Sequence, residues 1–179
     1  PDMNGVTGDV LFTESRLLIP AVRAQVLGAE ARLEGGLAFT PQALADSSKP
    51  TTLKVSGVAT AAGLRNQRQL AWLARLAEQF EGSARYEMGL VMRDGQLNWL
   101  LSSNLLGLSS SLPAPLDKMS GQSLPLRLES RSQAASTTAT RANPETVLSL
   151  NVGQVLRSQY VVRTQASGAL EPLSGALYL

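Results

Sequence analysis

Apolar and polar residues alternate at a period of two through most of this chain, a pattern that suits a half-buried strand and fits no helix. Val6, Gly8, Val10 and Phe12 alternate with Thr7, Asp9, Leu11 and Thr13. Pro20–Leu27 repeats the pattern with Val22, Ala24 and Val26 against Arg23 and Gln25, and Ala31–Phe39 continues it after Gly28. Thr51–Thr60, Ala84–Arg93, Gln96–Leu108, Ser123–Ser130, Thr146–Val152, Val155–Gln165 and Ala169–Leu179 read the same way. Asp94-Gly95 is a two-residue hairpin signal, which turns the chain from Arg93 back into Gln96. Pro41–Pro50 reads as a linker of turn formers, and Gln133–Ala142 as a loop or an edge.

The period changes once. Leu70, Leu73, Ala77 and Phe80 share a helical face beside Trp72 and Leu76, against Arg68, Gln69, Arg75, Glu78 and Gln79, so one amphipathic helix is expected over Leu64–Glu81, ended by Gly82. Pro113, Pro115 and Pro125 then stand between two leucine-rich runs. Proline lacks an N–H and restrains the residue before it, so 112–125 is expected to be a rigid connector outside helix and central strand. The fold expected is mainly β: about ten strands in an antiparallel, twisted sheet with one helix packed on it, in a single β-rich domain spanning 1–179.

Composition narrows the chemistry. The chain contains no histidine and no cysteine, which removes Ser-His-Asp and Cys-His catalysis, the common zinc sites and disulfides. The candidate acids Asp9, Glu14, Glu30, Glu87, Asp94 and Glu129 fall into no paired arrangement, so neither an enzyme nor a cofactor is expected. Sixteen basic against fourteen acidic residues leave +2, and the basic residues form no run, which argues against nucleic acid. The chain opens PDMNGVTGD and reads as a piece of something longer without a signal peptide. Leucine occurs 31 times while aromatics make up 4%, so leucine faces with little aromatic anchoring could line a trough as readily as fill a core. Asp117 and Lys118 read as a solvated pair, and Trp99 as core or groove lining.

Several stretches together resemble the YhdP family of large, AsmA-like envelope proteins of Gram-negative bacteria. They are LARLAEQFEGSARY, the hairpin YEMGLVMRDGQLNW, and LLSSNLLGLSSSLPAPLDKMSGQSLPLRLE. The last is similar to a family signature through Ser103, Leu105, Gly107, Leu108, Leu112–Leu116, Lys118 and Pro125–Glu129, with Asp117 where members often carry Gly. VRAQVLGAEARLEGG resembles a recurring strand unit of the family.

The resemblance implies a curled sheet forming a groove with an apolar floor. It also implies a parent protein anchored in the inner membrane, and phospholipid movement across the periplasm to the outer membrane. On that reading phospholipid acyl chains and flanking segments of the same parent chain are partners, and an isolated piece could dimerise through its edge strands. The alternative is a structural or protein-interaction module of the envelope with the same strands and a filled core. Groove-lining candidates, chosen by alternation, are Val22, Ala24, Val26, Leu97, Trp99, Leu101, Leu124, Leu126 and Leu128; a one-residue slip in register would reverse any of these sets.

Overall fold

The computed structural model of the chain describes residues 4–14, 16–38, 51–67, 71–93, 96–133, 145–164 and 170–178. The alternating stretches form β1 (Asn4–Thr13), β2 (Arg16–Val26), β3 (Ala29–Ala38), β4 (Thr51–Thr60), β5 (Phe80–Arg93), β6 (Gln96–Ser103), β7 (Leu108–Ser110), β8 (Leu126–Gln133), β9 (Glu145–Val152), β10 (Leu156–Thr164) and β11 (Leu170–Tyr178). They make one open antiparallel sheet in the order β1-β2-β3-β4-β5-β6-β8-β9-β10-β11, with β7 paired to β5 off that path. The chain therefore meanders: each strand on the path turns back beside its predecessor, and only the step from β6 to β8 passes over an element.

Where two strands stood in the sequence reading as one, the ladder explains the division. Gln96–Leu108 splits because Ser103 pairs with Tyr86 while Leu108 pairs with Gly82, so residues 104–107 stand against only 83–85. β7 resumes the course of β6 along β5 after a slip of one residue. Pro125 cannot donate to a ladder, and β8 begins immediately after it. The connector lies outside the strands as expected, tied to β7 by a single bridge between Ser110 and Lys118.

The expected helix over Leu64–Glu81 is corrected. Helical structure starts earlier, as α1 (Ala61–Arg65), and resumes as α2 (Ala71–Leu76), followed by a 3-10 turn at Ala77–Gln79. Thr60 sets the start, because its Oγ1 accepts the Gly63 N–H at 2.9 Å and donates to the Leu27 carbonyl at 3.2 Å. The end comes sooner because Phe80, Glu81 and Gly82 are taken into the ladder with β7. Strand pairing here overrides the helical preference of the sequence. Arg65 ties the pieces together, its Nε donating to the Ala77 carbonyl at 3.1 Å and its Nη2 to the Phe80 carbonyl at 2.8 Å. Leu70, the Asp94-Gly95 turn, the Pro41–Pro50 linker and most of Gln133–Ala142 lie outside the described residues.

The helical segment covers little of the sheet. It contacts β4 and β5 and sits against the β2–β3 turn, where a Cβ on Gly63 would overlap the Leu27 carbonyl. Ala61, Ala84 and Leu108 form the buried cluster beneath it, with Phe80 and Leu105 packed alongside. Among the described residues, no large side chain is completely enclosed. Buried positions are mostly small, such as Ala24, Ala31, Ala77 and Ala84. No described helix is long and apolar enough to cross a membrane.

Candidate functional site

Residues directly opposite one another in a ladder share a face of the sheet, so the register assigns every side chain to one side or the other. One rank can be followed across ten strands: Gly8, Val22, Leu33, Val55, Met88, Leu101, Leu128, Leu150, Ser158, Leu177. Two residues along, the next rank runs Ile19, Gly35, Leu53, Leu90, Trp99, Ser130, Leu148, Tyr160. A third, on the other flank, runs Ala24, Ala31, Gly57, Tyr86, Ser103, Leu126, Val152. None of the three ranks contains a charge.

The reverse face is its complement. Thr7, Arg23, Arg32, Ser56, Glu87, Ser102, Arg127, Asn151, Arg157 and Tyr178 form the matching rank. The ion pairs among the described residues lie on this side, including Arg32–Glu34 at 3.2 Å, Lys54–Glu87 at 3.9 Å and Arg131–Glu129 at 2.6 Å. Burial tends to raise the Glu129 carboxyl, but the Arg131 hydrogen bond and the charges of Arg131 and Arg127 outweigh it and hold it below the usual range.

Val22 and Ala24 are buried on the apolar face, with Val26 on the same side at the end of β2. Trp99, Leu101, Leu126 and Leu128 stand there half-buried, and Leu97 stands there exposed. Leu124 departs from this set: it precedes β8, and its N–H donates to the Asn104 carbonyl at 2.9 Å. Leu33, Leu53, Val55, Met88, Leu90, Leu148, Leu150 and Tyr160 join the face without having been singled out as lining, although the same alternation carries them.

One end of the apolar face is walled by the helical segment and by the loop from Asn104 to Pro125. Ser103 begins this wall, its hydroxyl donating to the Arg85 carbonyl at 2.6 Å and accepting the Leu105 N–H at 3.0 Å. Gly107 has φ +92, and a Cβ there would lie 2.5 Å from the Ser83 carbonyl oxygen, so the turn into β7 excludes other residues. Lys118 is not solvated, contrary to the expectation for the Asp117–Lys118 pair; it is 8% exposed while Asp117 is exposed. Its Nζ donates to the carbonyls of Leu105 at 2.8 Å, Met119 at 3.1 Å and Leu108. An ammonium carries three donors, and all three are used here, on the Leu108 carbonyl of β7 and on two turn carbonyls, Leu105 and Met119, that also accept the N–H groups of Leu108 and Gln122. Burial pushes its pKa down. The only local hint of this role was that the lysine sits in a proline-bounded turn.

The family model for YhdP protein matches residues 1–175. No curated protein and no solved structure matches the chain.

Proposed function

This chain belongs to the YhdP family, and from that premise we propose that its sheet is a segment of a lipid-carrying surface in the periplasm of a Gram-negative bacterium. The apolar face shields phospholipid acyl chains in transit between inner and outer membrane, while the charged face meets water. The anchor in the inner membrane belongs to the parent protein. Its partners, beyond the lipid, are flanking segments of the same parent chain.

The observation that carries this reading is the charge-free rank from Gly8 to Leu177. Ten strands spaced at ~4.8 Å give a path of roughly 40 Å across the sheet. One leaflet of hydrocarbon is about 15 Å thick, half of the bilayer core, so the path exceeds what a single acyl chain fills. An extended floor of this kind suits passage better than storage of one ligand. Each methylene kept from water is worth about 0.8 kcal/mol, and without a specific partner that energy is nearly uniform along the path. The reading is non-catalytic; Glu129 bonds both Arg127 and Arg131, while Glu30 and Glu87 stand exposed within 4.0 Å of Arg23 and Lys54.

The test is Leu126→Glu, examined by native mass spectrometry with organic extraction of the gently purified chain. Phospholipid bound to the parent sequence and lost from a variant that still folds is the expected result. Unfolding of the variant, with no lipid on the parent sequence, would instead identify the face as packed core, because an unpaired buried charge is very costly.

A further inference from the structure

The charged face carries a second feature, which the lipid reading does not use. Between β8 and β11 it forms an open hollow of about 680 Å³. Arg127, Asn151, Arg157 and Tyr178 lie in it as one directly registered rank over four adjacent strands. A second hollow of about 520 Å³ adjoins it and shares Arg157 and Tyr178.

The charges in the hollow do not cancel. Glu129 accepts from Arg131 Nε at 2.6 Å and from Arg127 Nη2 at 3.4 Å, so one carboxylate serves two guanidinium groups. Arg157 has no ion-pair partner among the described residues. Three arginines against one glutamate leave an excess of two positive charges. Arg127 and Arg157 stand two strands apart, roughly 10 Å between backbones, with the Asn151 side chain between them and the Tyr178 hydroxyl on the next strand. Guanidinium forks match the paired oxygens of a phosphate, and the asparagine amide and tyrosine hydroxyl can add neutral donors.

We propose that the Arg127–Asn151–Arg157–Tyr178 rank binds the phosphate group of a phosphate monoester. The doubly charged monoester balances the excess of two. The ligand sits between Arg127 and Arg157, on the side of Arg127 away from Glu129, which repels it from the Arg127–Arg131 gap. The site lies on the opposite face from the apolar floor, so its occupant is not the headgroup of a lipid lying on that floor.

The test is an NMR titration of the chain with inorganic phosphate and with glycerol 3-phosphate, at ionic strength held constant with chloride. The expected result is saturable shifts at the amides of 127, 151, 157 and 178. Arg157→Gln should weaken binding at least tenfold, since a charge-assisted bond is lost, and Asn151→Ala several-fold. Arg85→Gln, on the same face of β5, should leave it unchanged. Flotation with vesicles containing phosphatidic acid separates the sources: Arg157-dependent capture identifies a membrane headgroup, and binding of the soluble ester alone identifies a free metabolite. Shifts no larger than those from chloride, or equal losses in Arg157→Gln and Arg85→Gln, would overturn the proposal. Leu126→Glu should retain phosphate binding, so the two readings can fail independently.

Discussion

At the scale of single residues, the chain places its few enclosed charges where backbone or opposite charge receives them. Lys118 holds the loop over one end of the apolar face by donating to Leu105, Leu108 and Met119 carbonyls. Lys118→Met is expected to cost about 2 kcal/mol and to speed amide exchange at Gly107 and Ser110 first, as hydrogen exchange read by NMR would show. Glu129 governs a different variable. Its folded pKa lies below the ordinary carboxylate value, so the stabilisation is complete above that value and is lost as pH falls through the folded one. Glu129→Gln should therefore flatten the acid limb of a urea-midpoint profile as pH falls below the ordinary carboxylate range, while leaving its slope near neutrality unchanged. Sequence reasoning could see Glu129 as one of several unpaired acids but not its two arginines. Arg131 was two residues away and visible; that both guanidinium groups lie on the carboxylate's own face follows only from the register.

At the scale of elements, β2 shows how a strand can change which of its residues face the apolar side. It carries one residue more than β3 at Pro20–Ala21, between the pairs Ile19–Gly35 and Val22–Leu33, and one more than β1 at Ile19–Pro20, between Leu18–Leu11 and Ala21–Asp9. Proline is tolerated there because a bulge leaves a position without a ladder bond. The extra residue brings Ile19, 7% exposed, onto the same face as Val22. Deleting Ala21 should leave Ile19 and Leu17 on the apolar face, two and four residues from Val22, but force Pro20, which has no N–H, into the ladder opposite Glu34, at a cost of about 1 to 3 kcal/mol, with loss of β1–β2 amide protection as the readout. Alternation made the strands legible, including β4 residue for residue over Thr51–Thr60. It could not reveal Pro20 inside a strand, because a period-two reading takes proline as a boundary. The Leu64–Glu81 periodicity was real in sequence and failed for a non-local reason: Phe80–Gly82 find partners in β7.

At the scale of the whole molecule, an open meander is nearly one-dimensional, since each strand on the path pairs only with its neighbours. Stability then approximates a sum over adjacent pairs rather than one cooperative core. Native-state hydrogen exchange is expected to be graded across the sheet, with β1 and β11 exchanging fastest and β5 and β6, at the centre and beside the Ala61–Ala84–Leu108 cluster, slowest. A single exchange rate for all strands would contradict this picture. The two-faced character of the sheet was legible from alternation alone. Its continuity was not, because a rank of ten residues exists only once nine registers agree.

The same topology sets how the molecule bears load. Asn4 pairs with Gln25 and Tyr178 with Arg157, so the chain enters and leaves at the same end of the strands and at opposite edges of the sheet. Tension applied through these two points acts across the strands rather than along them. The ladders then open one hydrogen-bonded pair at a time, like a zip, instead of resisting together in shear. Pulled between two fixed points, the segment would yield at low force, peel from its outermost strands and lengthen by one hairpin after another.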